Sequence, residues 1–195
     1  MFQDGRDIFL NVVIVVVLML VGVGATGLCT YHPGRPESGP VQEVDAKTFL
    51  GLEARAVDFP VRYPEMPEGW VTNSARRSMV QDTPAPVVGW VTPDKGYLQM
   101  TQTKADEEAA IAAHDNKERP NERTETIDGK QVRVLSSDDQ DVRQLWVVDG
   151  GDVRFLVTGA GTDEEFRELI STTLRTAPID PRQETGEPAE ATPTA

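Results

Sequence analysis

Residues Ile8 to Cys29 form an unbroken apolar run in which only Asn11 and Thr26 are notably polar and no side chain is charged. At ~1.5 Å of helical rise per residue the run reaches about 33 Å, enough to cross a hydrocarbon core of roughly 30 Å. Its centre, Val12 to Val21, is costly to leave in water. The run therefore predicts a transmembrane helix over 8–29. A secretory signal peptide fits less well, because Arg6 stands between Asp4 and Asp7 and the run exceeds the usual ~7–15 apolar residues. Ala25-Thr26-Gly27 offers small residues at a cleavable spacing. Lipidation at Cys29 would place Leu28 where Gly or Ala is wanted, so Cys29 is read as a small residue at the helix end. An uncut anchor is the reading adopted.

Orientation rests on a near-balanced count, with Arg6 and the amino group on one side and Arg35 and Lys47 on the other. A short tail, residues 1–7, favours a cytoplasmic N-terminus and a C-terminal domain carried across the cell membrane. Membrane lipid is then one partner, through residues 8–29. The remainder is acidic: 19 Lys and Arg against 32 Asp and Glu in 195 residues, a formal charge of -13. Nucleic acid and a polybasic lipid patch both need clustered cations, so both are excluded as expectations. A single cysteine rules out an internal disulfide framework and any Cys-rich metal site.

Beyond the anchor, Pro33, Gly34, Pro36, Gly39 and Pro40 mark a spacer over 30–45, and Pro178, Pro181, Pro188 and Pro193 mark a disordered acidic tail over 178–195. The domain between them covers 46–177. A helix is expected over 46–57, with Ala46, Phe49, Leu50 and Val57 on one side. Strands are expected at 59–63 (a Pro-flanked edge), 70–80, 87–91, 97–103, 123–127, 131–135, 142–148 and 153–158. Pro93 to Gly96, Asp128-Gly129 and Asp149 to Asp152 carry the turn chemistry of tight reversals. A second helix is expected over 105–114 with Thr103 as N-cap. A third runs from Asp163 to Arg175, with Phe166, Leu169, Ile170 and Leu174 on one face and a Thr162/Glu165 capping box. In the last strand Val153, Phe155 and Val157 face one way, with Arg154 and Thr158 opposite. The fold class is α+β: an antiparallel sheet of hairpin-linked strands packed with two to three helices, preceded by one N-terminal transmembrane helix.

Several short motifs occur in order. They are Arg6-Asp7 before the apolar run, Phe59-Pro-Val with Pro67-Glu-Gly-Trp70, and Gly89-Trp-Val-Thr-Pro93 entering Tyr97-Leu98. The Ile127-Asp-Gly hairpin and Val157-Thr-Gly159 before Thr162-Asp-Glu-Glu follow. Together, over roughly residues 5 to 176, they resemble the actinobacterial single-pass membrane proteins of domain-of-unknown-function family 4245. The resemblance implies an actinobacterial source and a membrane-anchored extracytoplasmic domain. It implies no activity.

Candidate chemistry is sparse. A hydrolytic triad needs an imidazole. His32 lies beside the membrane, and His114, next to Asp115 and Asn116, reads as an exposed histidine at a helix end. Asp138, Asp139 and Asp141 offer oxygens to calcium, yet their run lacks the Gly and distant Glu of an EF-hand loop and reads as a turn. Gly159-Ala-Gly161 before a helix suggests a phosphate site, but Asp163, Glu164 and Glu165 would repel the anion. Asp106, Glu107 and Glu108 read as charge placed at a helix start. Trp70, Trp90 and Trp146 read as core rather than as a sugar or peptide groove.

No catalytic, cofactor-binding or metal-binding residue is assigned, and no cofactor is expected. The expected function is a membrane-anchored extracytoplasmic interaction or accessory module with an envelope or membrane protein as partner. The alternatives are a small-ligand sensor or carrier, which calls for an apolar cavity, and a carboxylate-dependent envelope enzyme, which calls for paired carboxylates of raised pKa.

Overall fold

The computed structural model describes residues 5–25 and 42–181, with side chains over 8–22 in the first segment. Cys29, His32, most of the expected spacer and the tail from 182 lie outside the described residues. The chain divides into two units, Met1–Gly39 and Pro40–Ala195. The first contains helix α1, Gly5–Ala25. Every described side chain of α1 is exposed, including the whole apolar series from Ile8 to Val21. Among the described residues no helix is long and apolar enough to cross a membrane. The side chains described on α1, those of residues 8–22, span only about 22 Å of the helix.

The second unit is built on one seven-stranded sheet. Strands β1 (Val71–Val80), β2 (Thr83–Val91) and β3 (Tyr97–Thr103) form a meander. So do β4 (Asn121–Ile127), β5 (Lys130–Ser136), β6 (Leu145–Asp149) and β7 (Arg154–Gly159). The last strand of each meander pairs antiparallel with the other, giving the order β1-β2-β3-β7-β6-β5-β4. Helix α2 (Ala46–Ala56) precedes the sheet, α3 (Glu107–His114) links the meanders, and α4 (Asp163–Arg175) closes the chain. The α+β class and the three domain helices are as the patterning predicts.

Alternation along the strands splits the core between two faces. Trp90, Leu98, Met100, Trp146, Phe155 and Val157 point to one side, where Leu50 of α2 and Phe166, Leu169 and Ile170 of α4 bury them. Leu145, Val147 and Leu156 point to the other, where Ala110 of α3 covers them. Trp146 stacks on Phe166 at 5.0 Å between ring centroids. The Arg123 and Arg167 guanidiniums lie over the same indole. Arg167 also donates twice to Glu125, which ties α4 to the outer strand β4. On α2, the buried Glu53 accepts a bidentate contact from Arg77 of β1.

Four local expectations are corrected. Residues 59–63 are not a strand. Phe59 and Val61 are buried as an edge strand would bury them, but the segment is bonded through a side chain: Gln102, wholly buried on β3, accepts from Arg62 N–H at 2.8 Å and donates to Arg62 C=O at 2.7 Å. One amide thus replaces a stretch of ladder, and Pro60 and Pro64 on either side have no N–H to extend it. Strand β2 begins at Thr83, four residues earlier than expected, through a hairpin turning at Gln81-Asp82. Its prolines, Pro84 and Pro86, are two apart and so leave the same edge without N–H groups. They are tolerated because β2 pairs with β3 only from Val87 onward. The N-cap of α3 is Asp106, whose Oδ1 accepts from Ala109 N–H, while Thr103 Oγ1 accepts from Ala105 N–H in the preceding turn. The β6–β7 connection is wider than a two-residue turn, since Asp149 pairs with Arg154 and Gly150 N–H bonds Val153 C=O. Residues 178–181 follow the domain surface, with Ile179 N–H bonded to Val61 C=O and Arg55 Nε to Pro181 C=O.

Candidate functional site

Helix α3 has eight residues, about 12 Å of length, against a seven-stranded sheet about 29 Å wide. It covers the small apolar cluster and leaves the neighbouring part of that face open. What is left is polar. One register row runs Ser74, Gly89, Gln99, Thr158 across β1, β2, β3 and β7. Gly89 is required there: a Cβ at that position would stand 2.0 Å from the Tyr97 hydroxyl and 2.5 Å from Ser74 Oγ. Its absence lets the Tyr97 phenol lie across β2 and hydrogen-bond Ser74 at 2.9 Å. Gln99 Oε1 accepts from Arg76 at 3.3 Å, and Thr158 Oγ1 donates to Gln144 C=O at 2.7 Å. These residues make a hydroxyl- and amide-bearing floor.

The wall comes from the chain leaving α3. Asp115 Oδ1 accepts from Lys117 N–H, which turns the backbone, and both Asp115 oxygens take a bidentate contact from Arg119 at 2.8 Å. Arg119 Nε donates to Arg143 C=O at 2.8 Å, and Nη1 reaches Lys117 C=O. With its side chain only 6% exposed, Arg119 locks the α3–β4 connection to the β5–β6 loop. Floor and wall enclose an open cleft of about 430 Å³.

The electrostatics follow from the packing. The Arg119 hydrogen bond, helped by the Lys117 N–H, outweighs partial burial and holds the Asp115 carboxyl down at about 2. His114 Nε2 lies 3.8 Å from Asp115 Oδ2. Burial nevertheless dominates and pushes the imidazole below its ordinary value, with Asp115 opposing and Arg119 reinforcing. His114 is therefore neutral at pH 7. Its side chain is 11% exposed, so the expectation of an exposed histidine at the helix end is corrected: the sheet floor and the 115–119 turn fold over it.

The other sequence candidates fall elsewhere. Asp139 Oδ1 accepts from Asp141 N–H and Asp138 Oδ1 from Asn121 Nδ2, which makes the acidic run a turn. Among the described residues no three His, Cys, Asp or Glu are grouped to hold a metal. Thr162 and Glu165 form the reciprocal capping box at the start of α4, where Gly159 to Gly161 lead in. Trp90 and Trp146 are core; Trp70 is half-buried and donates to Glu168 of α4. Asp106 caps α3, while Glu107 and Glu108 both reach Arg133 of β5.

A family model described as protein of unknown function (DUF4245) matches residues 1–173. The chain belongs to that family. No curated protein and no solved structure matches it. The match runs over the whole sheet and most of α4, so the cleft lies within the family's own extent. Tyr97 appears in the sequence only as part of a family motif, and Gln99, Lys117, Arg119 and Arg143 belong to no motif. Lys117 and Arg119 follow His114 directly in the chain, whereas Tyr97, Gln99 and Arg143 come beside it only through the tertiary fold, in which β3 pairs with β7.

Proposed function

We propose that this DUF4245 protein is a single-pass membrane protein whose extracytoplasmic domain is an interaction module, docking through the face of the sheet that α3 leaves open. The observation that carries the docking reading is the polar floor, half-exposed at Ser74, Tyr97 and Gln99, with its charged open cleft, set against an opposite face filled by α2 and α4. Support for the anchor comes from the sequence: the apolar run continues past the described part of α1 to Cys29. The carboxylate-enzyme alternative finds less support, because Asp45, Asp58, Asp115, Glu122 and Glu125 are all held below, not above, their ordinary range. A general acid at neutral pH needs the opposite shift.

The test combines topology with docking. In cells, a Lys130→Cys, Cys29→Ser chain is treated with a membrane-impermeant thiol reagent, and a photo-crosslinking residue is placed in turn at Arg76, beside the floor, and at Leu52, on the outer side of α2. Labelling from outside, with a discrete adduct from position 76 and none from 52, is the expected result. A span-swapped chain with residues 8–29 replaced should give the same adduct. Protection of the introduced thiol from the reagent, or adducts independent of position, overturns the reading.

A further inference from the structure

We infer that the cleft between α3 and the β5–β6 loop is a binding site for a single carboxylate group, held by the side chains of Arg143 and Lys117 over the Tyr97–Gln99 floor. This deepens the docking reading and rests on it. Arg143 and Lys117 both serve the wall through backbone atoms: Arg143 C=O accepts from Arg119, and Lys117 offers its N–H to Asp115 and its C=O to Arg119. Neither side chain forms an ion pair with a described residue, although acidic residues outnumber basic ones by 32 to 19. By contrast, Arg119 in the same cleft is fully engaged by Asp115. The main chain therefore holds two cationic arms at the rim of a cleft, with no carboxylate of the described residues on their charged ends.

Charge and size then narrow the ligand. Lys117, Arg119 and Arg143 stand against Asp115 and Asp141, and His114 is neutral, so the lining carries one net positive charge. That balance suits a monoanion. A phosphate dianion would meet the two carboxylates with one charge left uncompensated. A guanidinium presents a planar fork matched to a carboxylate, and an ammonium beside it adds a point charge. At about 430 Å³ the cleft has room for a small organic acid or the last residues of a chain ending in a free carboxylate. Chloride lacks the two-oxygen geometry the fork selects.

The experiment titrates the purified full-length chain in mild detergent, following the Arg143 side-chain N–H and His114 ring resonances. The probes are benzoate, N-acetyl-dialanine as free acid and as amide, and inorganic phosphate. Saturable shifts with both free acids, and none with the amide, are expected. The tighter of the two acids names the source, small solute or chain terminus. Arg143→Gln should weaken binding at least about tenfold, as loss of one charge-assisted contact implies, and Lys117→Gln less. Both variants keep every backbone bond of the wall, and unchanged amide spectra away from the cleft confirm the fold. Lys130→Gln, on the far hairpin, should bind like the parent. The assignment is overturned if phosphate binds more tightly than the acids, if shifts rise linearly without saturation, or if Arg143→Gln binds normally. Crosslinks from position 76 that persist while no acid binds would leave the docking reading in place and remove the carboxylate site alone.

Discussion

Replacing Gln102 by Leu tests whether one buried amide holds residues 59–63 against the sheet. The side chain is fully buried and bonds both backbone groups of Arg62, at 2.8 and 2.7 Å. Leucine has similar bulk but offers neither donor nor acceptor, so Arg62 N–H and C=O lose their partners together. An orphaned buried polar group costs ~1–3 kcal/mol, and two give roughly 2–6. Arg62 is itself only half-buried, so water recovers part of that, and the added apolar area of Leu offsets about 1 kcal/mol. The net expectation is a loss of about 2–3 kcal/mol, or roughly 10 °C in melting midpoint for a domain of this size. Denaturant unfolding followed by tryptophan fluorescence measures it. Hydrogen exchange at the Arg62 amide measures the local part, which should accelerate beyond what the global loss accounts for. Gln102→Glu should cost at least as much, because its carboxylate faces the Arg62 carbonyl with lone pairs only. A Gln102→Leu loss below about 1 kcal/mol, with Arg62 exchange unchanged, would show that the amide does not hold the segment.

Gly89→Ala drives a Cβ into the Tyr97 hydroxyl and should cost about 1–3 kcal/mol, the usual range for overpacking. Combining it with Tyr97→Ala should recover part of that loss in a thermal melt. Asp115 binds its proton at about 2 when folded against 3.8 when unfolded, so the unfolded chain takes up more protons in between. Its stabilisation is complete above about pH 4 and is lost as pH falls toward 2. The full shift corresponds to about 2 kcal/mol and, with the carboxyl one-third exposed, about 1 kcal/mol after screening. Asp115→Asn should flatten that part of a stability-versus-pH curve. Phe155→Asp places an unpaired charge in the main core beneath α4 and should abolish cooperative unfolding; a folded variant would contradict the strand-face assignment.

The features legible in the chain alone were local ones. Asp128-Gly129 sets the β4–β5 hairpin because both residues adopt positive φ, 47° and 79°, as a two-residue turn demands. The 3.6-residue spacing of Phe166, Leu169 and Ile170 set the buried face of α4, and Thr162 with Glu165 set its start. Alternation in β7 assigned Phe155 and Val157 to one face and Thr158 to the other. The same logic failed where a side chain stood in for backbone. Gln102 lies forty residues from Arg62, so nothing around Phe59-Pro-Val showed that its bonds would come from an amide rather than a neighbouring strand. His114 reads as solvated from its neighbours Asp115 and Asn116, yet burial of its ring depends on β3 lying beside β7. The cleft as a whole is of this kind, although the Asp115–Arg119 pair in its wall is local. Its floor comes from β3 and β7, its wall from the chain after α3, and its rim arginine, Arg143, from the β5–β6 loop. Turn chemistry and periodicity act over a few residues and are written in the chain. The joining of two meanders through β3 and β7 is a long-range pairing, and it alone decides which distant polar groups share a surface.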